Sequence, residues 1–170
     1  MDPFETLGIP RSYDVDLAAI EKTHRELSRA LHPDRFVGAS PSERRAALGK
    51  AVEVNEAWRV VRDPIRRAEA LLILAGIAVG EDREPKADPE LLMEMLELRE
   101  ALAEAKAERN LARVRDMARA IEQRSQAVQT ALAQGFAQGQ AATLVDKLGE
   151  LRFYKRFLDE VSAIEDELAA

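Results

Sequence analysis

Apolar side chains recur along this chain every three or four residues, stretch after stretch. That is the spacing of a helix that buries one face. Leu17, Ile20, Leu27 and Leu31, with His24 between them, define such a face on a helix that starts near Asp14–Asp16. A shorter helix precedes it: Asp2-Pro3 supplies an N-cap and a first-turn proline, and Gly8 and Pro10 end it. Pro33 closes the second helix, because the residue before a proline is pushed out of helical geometry. Ser40 with Glu43 then writes a capping box around Pro41. It opens a third helix that carries Leu48, Ala51, Val52, Asn55, Trp58 and Val61. Asp63-Pro64 repeats the start signal for a last short helix, which Gly76 caps.

The run "GIAVGEDREPKAD", 76–88, is polar, carries two glycines and a proline, and marks a domain boundary. Asp88-Pro89 launches a helix to about residue 106. A second follows from about 109, with Leu111, Val114, Met117, Ile121, Val128 and Leu132 as its stripe, and Gly135 and Gly139 break the pattern. The last runs from about 141 to 168, with Leu144, Leu148, Leu151, Leu158, Val161 and Leu168 facing inward. Three amphipathic helices on short connections predict an antiparallel bundle. The expectation is an all-α protein: a helical hairpin unit over 1–75, a linker over 76–88 and a three-helix bundle over 89–170.

Composition narrows the function. The 170 residues allow one domain or two small ones, since domains usually run to ~100–150 residues. A net charge of −6 argues against a nucleic-acid binder. There is no cysteine, so a disulfide, a Cys-ligated zinc and a Cys-ligated iron–sulfur cluster are excluded within the chain. No apolar run approaches the roughly 20 residues of a membrane span, and "MDPFETLGIP" carries no signal-peptide core. A soluble, cytoplasmic protein without cofactor, metal, nucleic-acid or membrane partner is expected.

The candidate chemistry sits in "SRALHPDRF", residues 28–36. Lys22, Arg25 and Arg29 share one side of the second helix, opposite its apolar stripe. This basic strip leads directly to His32-Pro33-Asp34 and Arg35. A proline between them fixes an imidazole and a carboxylate in relation to each other, and the cations beside them suit an acidic partner. The same run also fits a solvated face that ends in a turn. A general-base role for His32 lacks support, because no nucleophile, metal cluster or glycine-rich phosphate loop accompanies it. His24 lies on the apolar face and reads as a core histidine.

A helix with a basic outer face, then His-Pro-Asp, then a capped helix containing "VNEAWRVVRDP" resembles the J domain of DnaJ-type co-chaperones over roughly residues 3–75. Asn55-Glu56-Ala57, Asp63-Pro64 and Arg67 add to the match. Leu31 stands where many J domains have an aromatic and Arg35 where many have lysine, which keeps apolarity and charge. The resemblance implies that His32, Pro33 and Asp34 contact a DnaK-type chaperone ATPase and stimulate its ATP hydrolysis. Lys22, Arg25, Arg29 and Arg35 then belong to the same chaperone-binding surface.

On the helix from Pro89, Leu91, Met95, Leu98 and Leu102 suffice for packing. Met93 and Leu96 fall on roughly the opposite side beside Glu97 and Glu100, with Leu92 and Arg99 at its flank. An apolar patch edged by charge fits a partner surface, and fits equally a face covered by the linker or the first domain. Phe153 points away from the stripe of the last helix, as an interface anchor or as packing against a neighbouring helix end. "RAEALLILAG", "LLMEMLELREALAE" and "LRFYKRF" behind a J domain are similar to the HscB family of iron–sulfur cluster co-chaperones. The resemblance implies a C-terminal domain that binds an IscU-type scaffold and a J domain that serves an HscA-type ATPase. Leu92, Met93, Leu96, Glu97, Arg99, Glu100 and Phe153 become the scaffold-contact positions. No catalytic residue is expected, since hydrolysis belongs to the partner. The rivals are a J-domain co-chaperone for a different client, and a helical enzyme or nucleic-acid adapter built on His32 and the strip.

Overall fold

The computed structural model describes residues 1–80 and 88–169. These fall into two compact units, Met1–Ile77 and Ala78–Ala170, and the described residues contain helices and no strand. The first unit holds α1 (Pro3–Leu7), α2 (Leu17–Ala30), α3 (Pro41–Arg62) and α4 (Pro64–Leu74). The second holds α5 (Pro89–Ala107), α6 (Leu111–Ala137) and α7 (Val145–Ala169). Residues 81–87, within the linker expected over 76–88, lie outside the described residues.

Each Asp-Pro start works as its chemistry requires. The carboxylates of Asp2, Asp63 and Asp88 accept from the free N–H groups of the first turns of α1, α4 and α5. Burial pushes the Asp2 carboxyl up, but the Arg11 side chain, the Glu5 and Phe4 amides and the Arg11 charge together bring it below its ordinary value. Ser40 and Glu43 close both bonds of the capping box at α3.

Phe4 and Leu7 of α1, with Tyr13 and Ile20, fill the first core against Ala47, Val54, Ala57 and Val61 of α3. This corrects the face read on α3: Val61 is buried, but Leu48 and Val52 are each 61% exposed. Small alanines let neighbouring elements approach closely, so the buried row runs through them rather than through the larger side chains. On α2 only Ile20 is fully buried; His24, Leu27 and Leu31 are half-buried and Leu17 is exposed. Arg67 is the buried cation of the first unit: its guanidinium lies 4.7 Å over the Tyr13 ring and donates to the Val61 carbonyl at 2.7 Å. Burial lowers its proton affinity and pushes the Tyr13 phenol up to about 12.

In the second unit Met95, Leu102 and Ala105 of α5 meet Val114, Ile121, Val128 and Leu132 of α6 and the α7 face. Phe157, at 0% exposure, and Ile164 belong to that face, whereas Leu158 and Leu168 are only half-buried. Gly135 does not break α6. A Cβ there would meet the Leu144 Cδ2 at 2.5 Å, so glycine lets the α6 backbone touch the segment that starts α7. The helix ends at Ala137, and Gly139 takes the left-handed turn with φ 70°. Residues 141–143 form a short 3-10 turn rather than the first turn of α7.

Candidate functional site

His32 ends the α2 hairpin arm by capping the 3-10 turn Pro33–Phe36, which Pro33 opens. The Asp34 amide donates to His32 Nδ1 at 3.3 Å, and the Arg35 amide donates to the His32 carbonyl at 2.9 Å. The Asp34 carboxylate stands 3.4 Å from the same Nδ1. One nitrogen cannot serve both partners at once. Nδ1 without a hydrogen accepts from the amide, and Nδ1–H donates to the carboxylate. Both side chains face solvent, at 60% and 87% exposure.

The strip is solvated, as the sequence reading placed it. Arg25 pairs with Glu21 at 3.0 Å. Lys22, Arg29 and Arg35 are exposed and have no ion pair among the described residues. Ser28, Arg29, His32, Asp34 and Arg35 line an open hollow of about 440 Å³. This concentrates three cation-forming side chains and one carboxylate at one end of the hairpin, with charge left over for a partner.

His24 holds the hairpin together. Its ring stacks on Trp58 with centroids 5.5 Å apart, and its Nε2 lies 2.9 Å from Asn55 Oδ1. An amide oxygen only accepts, so Nε2–H donates there. The capping box fixes the other side of the turn: the Ser40 amide donates to Glu43 Oε2 at 2.8 Å and the Glu43 amide to Ser40 Oγ at 3.3 Å. The Ser40 side chain, and after it the Ser40 amide, hold the Glu43 carboxyl below its ordinary value.

On α5, Leu92, Met93 and Leu96 are 41%, 60% and 56% exposed. Glu97 and Glu100 beside them are exposed without an ion pair among the described residues, and Arg99 reaches Glu160 of α7 only at 3.8 Å. Arg99–Glu160 and Lys106–Glu167 share one register between two parallel helices. Carried back toward the N-terminal ends, that register puts Leu92 level with Phe153. Phe153 is half-buried, and the Arg156 guanidinium lies 5.7 Å from its ring centre. Sequence reasoning missed Arg156; the signal was its position three residues on, one helical turn from Phe153. Glu94 pairs with Arg124 of α6, which ties the α5 backbone beneath the patch to the bundle. Tyr154 donates to Glu150 Oε1 at 2.8 Å, and burial with that bond raises its phenol to about 12.

Among the described residues no group of three or more His, Cys, Asp or Glu could hold a metal ion, and no helix is long and apolar enough to cross a membrane. Two domain families match the chain: the DnaJ domain over residues 2–70 and the HSCB C-terminal oligomerisation domain over residues 87–162. A co-chaperone HscB homologue of Aeromonas hydrophila is 33% identical, covering 99% of this chain and 98% of that one. The structure of chaperone HscB from Vibrio cholerae is similar with a TM-score of 0.87 and 31% identity, over 99% of both chains. The crystal structure of human co-chaperone HscB gives a TM-score of 0.88 at 25% identity, over 97% of this chain and 82% of that one.

Proposed function

The chain belongs to the HscB family of co-chaperones, and from that premise we propose that it joins two partners during iron–sulfur cluster assembly in the cytoplasm. One partner is an HscA- or DnaK-type chaperone ATPase, met by His32, Pro33, Asp34 and Arg35 and by the strip of Lys22, Arg25 and Arg29. The other is an IscU-type scaffold, met by Leu92, Met93, Leu96, Glu97, Arg99, Glu100 and Phe153. Residues 1–75 serve the chaperone, 89–170 serve the scaffold, and 76–88 connect them.

The observation that carries this reading is the solvent-facing His32-Pro33-Asp34 turn in a unit matched by the DnaJ domain, on a chain whose other unit is matched by the HscB C-terminal domain. Unpaired cations on α2 raise the encounter rate with an acidic surface. The turn then engages the ATPase, and binding energy realised only in its hydrolysing state speeds hydrolysis there. On this reading the hydrolysis belongs to the partner ATPase. On α5 the apolar patch gives affinity, and the unpaired Glu97 and Glu100 select a basic rim on the scaffold.

Purified IscU-type scaffold is expected to bind, and Leu92→Ala and Leu96→Ala are each expected to weaken binding by about ten-fold or more. Thermal unfolding should stay unchanged, since both side chains are exposed. Calorimetric titration checks this. Scaffold affinity indifferent to both changes would contradict the assignment of the patch.

A further inference from the structure

Every sulfur atom of this chain belongs to a methionine, since its 170 residues include no cysteine. With no thiol to intercept an oxidant, the soft nucleophiles are the thioethers of Met1, Met93, Met95 and Met117. Burial separates them. Met95 is enclosed in the bundle core at 4% exposure, and Met117 is half-buried on α6. Met1 is exposed but stands at the chain terminus, ahead of α1. Met93 is 60% exposed in the second turn of α5. Two residues turn a helix by about 200°, so Met93 meets solvent while Met95 meets the core.

The surroundings of Met93 decide what an added oxygen would do. The side chains one turn away on α5 are Pro89, Glu90, Leu96 and Glu97, and none of them carries a hydrogen-bond donor at neutral pH. A sulfoxide is a strong acceptor. On this face its oxygen finds no donor among those neighbours, so water must serve it. A partner that covers the patch strips that water away and leaves the acceptor unsatisfied.

We propose that Met93 is a reversible oxidation site that governs scaffold binding, with a hydroperoxide as its oxidant. The inference rests on the scaffold reading above. The Met93 sulfur attacks the terminal peroxide oxygen, and the S–O bond forms as the O–O bond breaks. Sulfur gives up two electrons, and the peroxide's own hydrogen moves to the departing oxygen, which leaves as water or an alcohol. A sulfoxide reductase reverses the step: two thiols become a disulfide, and the oxygen is released as water. The first unit, Met1–Ile77, holds no methionine beyond Met1. Oxidation therefore releases the scaffold and leaves the chaperone-facing unit working, which uncouples the two partners.

The test treats the whole chain alone with dilute hydrogen peroxide, removes the peroxide and follows oxidation by peptide mass mapping. Scaffold binding is then measured by calorimetric titration. Met93 is expected to gain one oxygen well before Met95, and the scaffold Kd to rise by about ten-fold. Sulfoxide reductases for both epimers, supplied with a dithiol, should restore it. Met93→Leu has no sulfur at this position, so its own affinity should be the same before and after peroxide. Met93→Gln, which keeps helix propensity and sets a polar group there, should bind about ten-fold more weakly than wild type and lose nothing further to peroxide. Stimulation of a DnaK-type ATPase without scaffold should survive the treatment. An unchanged Kd once Met93 is oxidised would overturn the inference, as would an equal loss in peroxide-treated Met93→Leu. Untreated wild-type protein that binds no scaffold would overturn the scaffold reading and this inference with it.

Discussion

At His32 a single ring nitrogen lies within reach of both the amide and the carboxylate of Asp34. The sequence shows the three residues side by side; only the 3-10 turn shows that imidazole and carboxylate converge on solvent rather than on the core. His24 was legible as a structural histidine because it shares the stripe of Ile20 and Leu27, and it proves to be wedged between Asn55 and Trp58. Which cations remain unpaired was not legible, because the sequence offers each a glutamate four residues away, yet Arg25 pairs with Glu21 while Lys22 makes no ion pair with Glu26. Glu43 gives a pH prediction at this scale. Its carboxyl is held below the ordinary 4.5 by the hydrogen bonds to Ser40. A carboxyl with a lowered folded value contributes stability above its unfolded value and loses it as pH falls through the folded one. Unfolding followed from neutral pH downward should therefore show an acid limb below about 4.5 that is shallower in Ser40→Ala. An identical acid limb in the variant would contradict the capping account.

Of the seven helices of the described residues, α1, α3, α4 and α5 were written in the sequence by their caps, and the faces of all seven less completely. Asp-Pro and Ser-x-x-Glu signals act within one turn, so reading them needs no tertiary knowledge. The face of α3 depends on which neighbour comes close, and Ala47 and Ala57 are buried where Leu48 and Val52 look equally eligible. On α7 the same limit hid Phe157, one residue from the Leu158 that periodicity selected. Phe157 is the largest fully enclosed side chain of the second unit. Phe157→Ala should cost about 3–5 kcal/mol by denaturant unfolding, the range of a buried aromatic truncated to a cavity. A loss under about 1 kcal/mol would mean that the bundle closes around the gap.

For the whole molecule, the two candidate surfaces lie on separate units, and each carries exposed charge without an ion pair among the described residues. The α5 patch was legible because the helix has more apolar residues than one buried stripe can use. The link from Leu92 to Phe153 was not, since it depends on the parallel register of α5 and α7 that Arg99–Glu160 and Lys106–Glu167 display. An adapter that binds two partners gives them a shared readout, so the proposed function requires the scaffold, held by one unit, to change what the other does at the ATPase. The most direct test is steady-state ATP hydrolysis by an HscA-type chaperone, with and without scaffold, in the presence of wild-type protein or His32→Gln. Stimulation that the scaffold amplifies, and that disappears in His32→Gln while thermal unfolding is unchanged, is the predicted result. Equal stimulation by wild type and His32→Gln, or none by either, would contradict the account.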